Sequence, residues 1–128
     1  MNAEHTEYLF NKYPKLYRGR FLPITQNLLP FGIETGDGWF DIIRDLSEAL
    51  TKLDAELGTE TEAVQVKEKY GTLRFYITDG TELHYEAIDD AECQSAVTCE
   101  QCGKPGTLRR GGWMTTRCDE CYEKQGKQ

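Results

Sequence analysis

The chain has little to offer the commonest catalytic chemistries. Its 128 residues contain only two histidines, His5 and His84, and neither has a Cys, Asp or Ser partner at catalytic spacing. There is no HExxH run, no phosphate-cradling glycine loop and no recognisable pairing of nucleophile and base, so the sequence reads as a non-enzyme. Asp89 and Asp90 are adjacent, but successive side chains on a helix diverge by about 100°, which makes a poor chelate from one helix alone. The Asp37 to Asp41 pair could in principle hold a metal, but no catalytic constellation accompanies it. Long apolar runs are also missing: none approaches the roughly 20 residues needed to span a bilayer. The start, Met1-Asn-Ala-Glu-His5, carries no export signal, and together with an odd cysteine count this favours a cytoplasmic protein with reduced thiols over a disulfide framework.

What the chain does have is one dense motif near its carboxyl end. Cys99 and Cys102 are followed fifteen residues later by Cys118 and Cys121, the spacing C-x2-C-x15-C-x2-C. That pattern reads as a zinc site, because two CxxC turns each supply one edge of a tetrahedron of thiolates. Four thiolates leave no open position for water or substrate, so the metal, Zn(2+), is expected to be structural. Gly111-Gly112, between two short strand-like runs, signals a hairpin. If Asp119 starts a helix, the module is a treble clef; otherwise it is a plain zinc ribbon. Two ligands in the first turn of a helix gain from its positive end, which favours the treble clef. Cys93 is the fifth cysteine, expected to pack as a small apolar group near the module.

Charge is unevenly distributed. The total is −7, but residues 1–33 carry +2, residues 34–98 carry −11 and residues 99–128 carry +2. An acidic body disfavours broad nonspecific DNA binding and suits a basic partner.

Periodicity supplies the elements. Residues 4–13 suit a short helix with Tyr8, Leu9 and Tyr13 on its apolar side, ended by Pro14. From Pro14 to Asp37, proline and glycine interrupt any regular element, yet Phe21, Leu22, Ile24, Leu28, Leu29, Phe31 and Ile33 make the segment apolar, and it is expected to pack over the core. Asp37 is a plausible N-cap for a helix with Phe40, Ile43, Leu46, Leu50, Leu53 and Leu57 on one face, a Glu48–Lys52 pair on the other, and Gly58 as its stop. Residues 63–69 and 72–78 alternate as a β-hairpin broken at Tyr70-Gly71. Its apolar face, with Val64, Val66, Leu73, Phe75 and Ile77, should cover the helix. Lys67, Lys69, Arg74 and Tyr76 should line the other. Thr81 caps a further helix to about Val97, with Leu83, Ala87, Ala91 and Ala96 inward and Glu82, Glu86, Asp89, Asp90 and Glu92 outward. Both histidines are expected at the surface. The fold is therefore α+β: an acidic helix-covered hairpin body over residues 1–98, and a four-cysteine zinc module over residues 99–128 fused to it without a linker.

Three stretches carry a resemblance: Asp37-Gly-Trp-Phe40, Val66-Lys-Glu-Lys-Tyr-Gly-Thr-Leu-Arg-Phe-Tyr76, and Cys99 to Tyr122 with Gly111-Gly-Trp113 inside it. In this order they resemble a family of small bacteriophage and prophage proteins, over most of the chain from about Tyr13 onward. The resemblance implies a genomic setting and no catalytic residues. By analogy, it suggests binding to a host protein, including components of antiviral defence or nucleic-acid handling. Two functions are expected on these grounds. The first is a zinc-stabilised module that binds a host protein. The second is nucleic-acid binding through Lys67, Lys69, Arg74, Tyr76, Arg109, Arg110, Trp113 and Arg117, where cations interleave with stacking faces.

Overall fold

The computed structural model describes residues 1–124; Lys127 and the last four positions of the 99–128 module lie outside the described residues. Asn2 caps helix α1 (Ala3–Lys12), its side chain accepting from the His5 N–H at 2.8 Å, and Tyr13 ends it just before Pro14. Leu9, Phe10 and Tyr13 are buried, whereas Tyr8, expected on the apolar side, is exposed. Phe10 takes its place because the chain folds back and sets Tyr17 against it, ring centroids 5.2 Å apart.

The segment after Pro14 is irregular, with short 3-10 turns at Arg18–Phe21, Leu29–Phe31 and Asp37–Trp39. It packs only in part. Leu16, Tyr17, Leu29 and Ile33 are in the core, while Phe21, Leu22, Ile24 and Phe31 stay exposed.

Strand β1 (Ile33–Glu34) pairs in parallel with β2 (Glu62–Lys69), and β2 pairs antiparallel with β3 (Thr72–Thr78), so the expected two-stranded hairpin is the larger part of a three-stranded sheet. The β2–β3 pairing slips between Ala63 and Gln65. There the Leu28 N–H donates to the Val64 carbonyl at 3.0 Å and the Ala63 N–H to the Leu16 carbonyl at 2.8 Å. The irregular segment thus satisfies the β2 edge where a strand would otherwise lie. The extra residue turns Ala63, not Val64, into the face that holds Val66; Ala63 and Val66 are fully buried and Val64 only half so. Asn27, also buried, donates from its amide to the Ala63 carbonyl at 3.0 Å and accepts from the Leu29 N–H at 2.7 Å.

Helix α2 (Phe40–Leu57) supplies the expected core stripe at Ile43, Leu46 and Leu50, joined by Ile42 and Ser47; Phe40 and Leu53 are half-buried and Leu57 is exposed at the last turn. Its stop is as expected, with Gly58 in the left-handed region at φ 69° and its N–H on the Asp54 carbonyl at 2.9 Å. Asp37 is not its N-cap. The turn Asp37–Trp39 intervenes, and the Asp37 carboxylate accepts instead from the Asn2 N–H at 2.7 Å and lies 3.1 Å from His5 Nδ1. Glu48 and Lys52 stand 3.9 Å apart, as the helical spacing requires.

Helix α3 (Glu82–Ser95) starts at the expected cap, Thr81, but is turned about one residue from the expected face. Its buried positions are His84, Ile88, Ala91 and Ser95, while Leu83 is exposed. Two polar anchors set that rotation. The Ser95 hydroxyl accepts from the Leu73 N–H at 2.9 Å, covering the open edge of β3. His84 is fully buried rather than at the surface, and it accepts the Thr81 N–H on Nδ1 at 3.0 Å, which places its proton on Nε2, 2.9 Å from Asp54 Oδ1. Asp54 also accepts from Thr59 Oγ1 at 2.6 Å and from the Thr61 hydroxyl and N–H at 2.8 and 3.1 Å. One carboxylate therefore ties the end of α2, the start of β2 and the start of α3. His5 is half-buried, stacked on Phe40 with centroids 4.0 Å apart.

Burial raises the Asp54 carboxyl, but the hydrogen bonds from Thr59, Thr61 and His84 outweigh it and hold the group below its ordinary range. A depressed folded-state pKa gives stability that is complete above the unfolded value, about 3.9, and is lost as pH falls through the folded one. Asp54→Asn should cost about 1–3 kcal/mol at pH 7. In urea unfolding series, the gap between wild type and variant should hold above pH 5 and shrink below pH 4.

Candidate metal centre

Helix α3 runs directly into the four-cysteine region. The first knuckle is closed by the Cys99 N–H on the Lys104 carbonyl at 2.7 Å and the Gly103 N–H on the Cys99 carbonyl at 2.9 Å. Gly103, at φ 84°, makes that reversal. Strands β4 (Thr107–Arg109) and β5 (Thr115–Arg117) pair antiparallel, Leu108 opposite Thr116. Between them lies a five-residue loop, 110–114, rather than a two-residue Gly-Gly turn, and of its glycines only Gly112 has positive φ. Cys118 follows β5, and Cys121 lies in the short helix α4 (Asp119–Lys124), its N–H 3.4 Å from Cys118 Sγ.

The four ligand atoms converge. The Sγ atoms of Cys99, Cys102, Cys118 and Cys121 all lie within 4.8 Å of one another, with Cys102 and Cys118 at 3.6 Å. A tetrahedron with metal–sulfur bonds of about 2.3 Å has edges of about 3.8 Å, so the donor set fits one zinc-sized ion. All five cysteines are free thiols. Burial opposes ionisation of Cys99, yet backbone hydrogen bonds from Cys118, Cys102 and Gln101 overcome it and hold that thiol at about 6. Cys121 is pushed up to about 12 by burial and by its thiol neighbours. Four thiols this close cannot all ionise on their own, and a dication removes the obstacle. Bound there, zinc would act as a crosslink with no open coordination position. Cys93 stands apart from this cluster and is exposed rather than packed, because the rotation of α3 turns it outward.

The first knuckle is seated on the body. The Gly38 N–H donates to the Glu100 carbonyl at 2.7 Å, the Gly36 N–H to Glu100 Oε2 at 2.9 Å, and the buried Trp39 indole to the Thr98 carbonyl at 2.8 Å. A Cβ on Gly38 would stand 2.1 Å from the Cys99 carbonyl oxygen, so only glycine permits this approach. Glu100 itself is buried, which raises its carboxyl above the ordinary range even as the Gly36 N–H stabilises the anion. The second contact lies at the sheet: the Glu100 N–H donates to the Thr116 carbonyl at 2.9 Å, and the Thr116 hydroxyl to the Gly71 carbonyl at 2.6 Å. Gly71 and Tyr70 form the β2–β3 turn, both with positive φ, 87° and 56°. The three stretches singled out in the sequence therefore meet at one place.

The eight candidate contact residues lie in several local settings, with Arg110 exposed in the 110–114 loop. Arg74 pairs with Glu92 at 2.7 Å, and Arg109 pairs with Asp119 at 2.7 Å while its guanidinium lies 4.6 Å from the Tyr122 ring centre. Arg117 lies alongside Arg109, which donates to its carbonyl at 3.1 Å. Lys67 stands opposite Arg74 on the outer sheet face, with Tyr76 opposite Gln65. Lys69 and Trp113 share a groove with Tyr70. Tyr70 and Glu100 escape sequence reasoning. Tyr70 is a bulky residue at a position that favours glycine or asparagine, and Glu100 hides between two ligands. Comparison of the chain with protein-family models, curated proteins and solved structures finds no match. Among the described residues, no helix is long and apolar enough to cross a membrane.

The purified protein should carry one equivalent of zinc by elemental analysis. Cys102→Ser or Cys118→Ser should lose it, along with much of the roughly 10–16 kcal/mol that such sites contribute to folding. Full metal content in either variant would contradict the four-thiolate assignment.

Proposed function

We propose that this chain is a zinc-stabilised binding module that docks on a basic surface of a partner protein, in a phage setting a host protein of antiviral defence or nucleic-acid handling in the host cytoplasm. The observation that carries this reading is the outer face of α3. Glu82, Glu86, Asp89 and Asp90 are all exposed, and none has a cationic partner among the described residues. Steps of about 100° put Glu82, Glu86 and Asp89 on the side away from buried His84 and Ile88, with Leu83 on one flank and Tyr85 on the other. Both flanking side chains are about half exposed, 49 % and 47 %. Apolar anchors beside a one-signed charge cluster suit protein recognition: the charges steer encounter and the anchors hold the complex. Within this reading, the knuckle, β4–β5 hairpin and helix α4 form a treble-clef-like zinc module whose role is to hold the body.

The reading is tested by capture from host or infected cells with the wild type beside Glu86→Lys/Asp89→Lys and Tyr85→Ala. The wild type should retain a protein that both variants lose, and association of that protein should slow at least tenfold between 50 and 500 mM salt. An unchanged set of captured proteins with the charge-reversed variant would overturn the assignment of this face.

A further inference from the structure

We infer that the groove between the sheet turn and the zinc hairpin binds single-stranded nucleic acid. The groove has a volume of about 390 Å³ and is lined by Glu68, Lys69, Tyr70, Gly112, Trp113 and Met114. It brings two aromatic rings to one opening, Tyr70 at 65 % exposure and Trp113 at 74 %. Neither ring is there by default. Tyr70 sits at φ 56°, a conformation that bulky residues rarely adopt, and its turn is pinned by the Gly71 N–H on Glu68 Oε2 at 2.7 Å and by Thr116 on the Gly71 carbonyl. Trp113 is lifted by the loop at Gly112, with its N–H returned to the Gly111 carbonyl at 2.6 Å.

The charges around the groove point the same way. Lys69 lies 5.6 Å from the Tyr70 ring centre and makes no ion pair among the described residues, nor do Lys67 on the same sheet face or Arg110 at the loop. Glu68 is the one acid in the lining, and its carboxylate is taken up by the Gly71 N–H. Exposed flat rings with unpaired cations beside them are the composition of single-strand sites, where bases stack and the backbone meets point charges. The acidic α3 face works against a duplex, which presents more phosphate and no free base faces. This site does not depend on the α3 reading, since no α3 residue lines it.

Titration with a fluorescence readout tests it, using a 15-mer of deoxythymidine as the probe. Trp39 is fully buried, so quenching reports Trp113. The oligonucleotide should quench wild-type emission, and about three phosphate contacts should weaken binding about 20-fold between 50 and 200 mM salt. Loss of one stacking ring should weaken binding at least about fivefold in Tyr70→Asn, which keeps the turn conformation. Trp113→Ala, an exposed change that leaves the fold intact by circular dichroism, should do the same when followed with a labelled oligonucleotide. A duplex of the same length should bind at least tenfold more weakly, and Glu86→Lys/Asp89→Lys should not weaken the single strand. Absence of binding at 50 mM salt, binding that ignores salt, or wild-type affinity in both aromatic variants would overturn the inference. So would a captured protein partner that occupies the groove while the oligonucleotide leaves emission unchanged.

Discussion

Cys99 and Glu100 rest on the backbone of Gly36, Asp37 and Gly38 so closely that their carbonyl oxygens leave no room for a side chain at either glycine. That seat decides how the rest of the chain is arranged. Trp39, buried beneath it, donates to Thr98 and so joins the entry to α2 with the exit of α3. Glu100 then passes the contact to Thr116, and Thr116 passes it to the turn of the sheet. The four-cysteine region is therefore less an appendage than a clamp across three separated parts of the body. A metal that holds Cys99 against Cys118 and Cys121 would also hold the two surfaces that Gly36–Trp39 and Gly71 grip.

A second polar centre does for the other end of the body what the knuckle does for this one. Asp54, His84, Thr59, Thr61 and Thr81 leave no hydrogen-bonding atom of the imidazole unpaired, although the ring is fully buried. Such a network is costly when broken by half and close to neutral, or even favourable, to replace whole with apolar groups, so it specifies the rotation of α3 more than it adds stability. That rotation has consequences outside the core. It turns Leu83, Tyr85 and four carboxylates to solvent together and carries Cys93 out with them.

Much of this was legible in the sequence where a single pattern determines a single outcome. Ligand spacing located the four-cysteine cluster, Gly58 stopped α2, Thr81 capped α3, and alternation placed Val66, Leu73 and Phe75 on the buried face. Where polar residues do the work of apolar ones, the pattern misled. His84 and Ser95 are the inward positions of α3, so counting apolar residues chose Leu83 instead. The slip at Val64 answers hydrogen bonds to the Leu16 carbonyl and from the Leu28 N–H, which no local pattern announces. Asp37 had the chemistry of a helix cap and is used instead by Asn2 and His5, brought in from more than thirty residues away. The close approach at Gly38 could be guessed only as a glycine beside a tryptophan; its partner lies sixty residues further along.

The arrangement separates charge and chemistry. Among the described residues, carboxylates without cationic partners gather on α3, turned outward by the Asp54–His84 network, whereas exposed rings and unpaired cations border the β4–β5 hairpin, which rests on the knuckle's seat. The central claim, that the metal centre holds the body together, is tested most directly by native-state hydrogen exchange with and without a zinc chelator. On this account, removing the metal strips protection from the Gly38 and Glu100 amides and, with them, from Val66 and Phe75 in the sheet. Loss confined to residues 99–124, with sheet amides as protected as before, would contradict it.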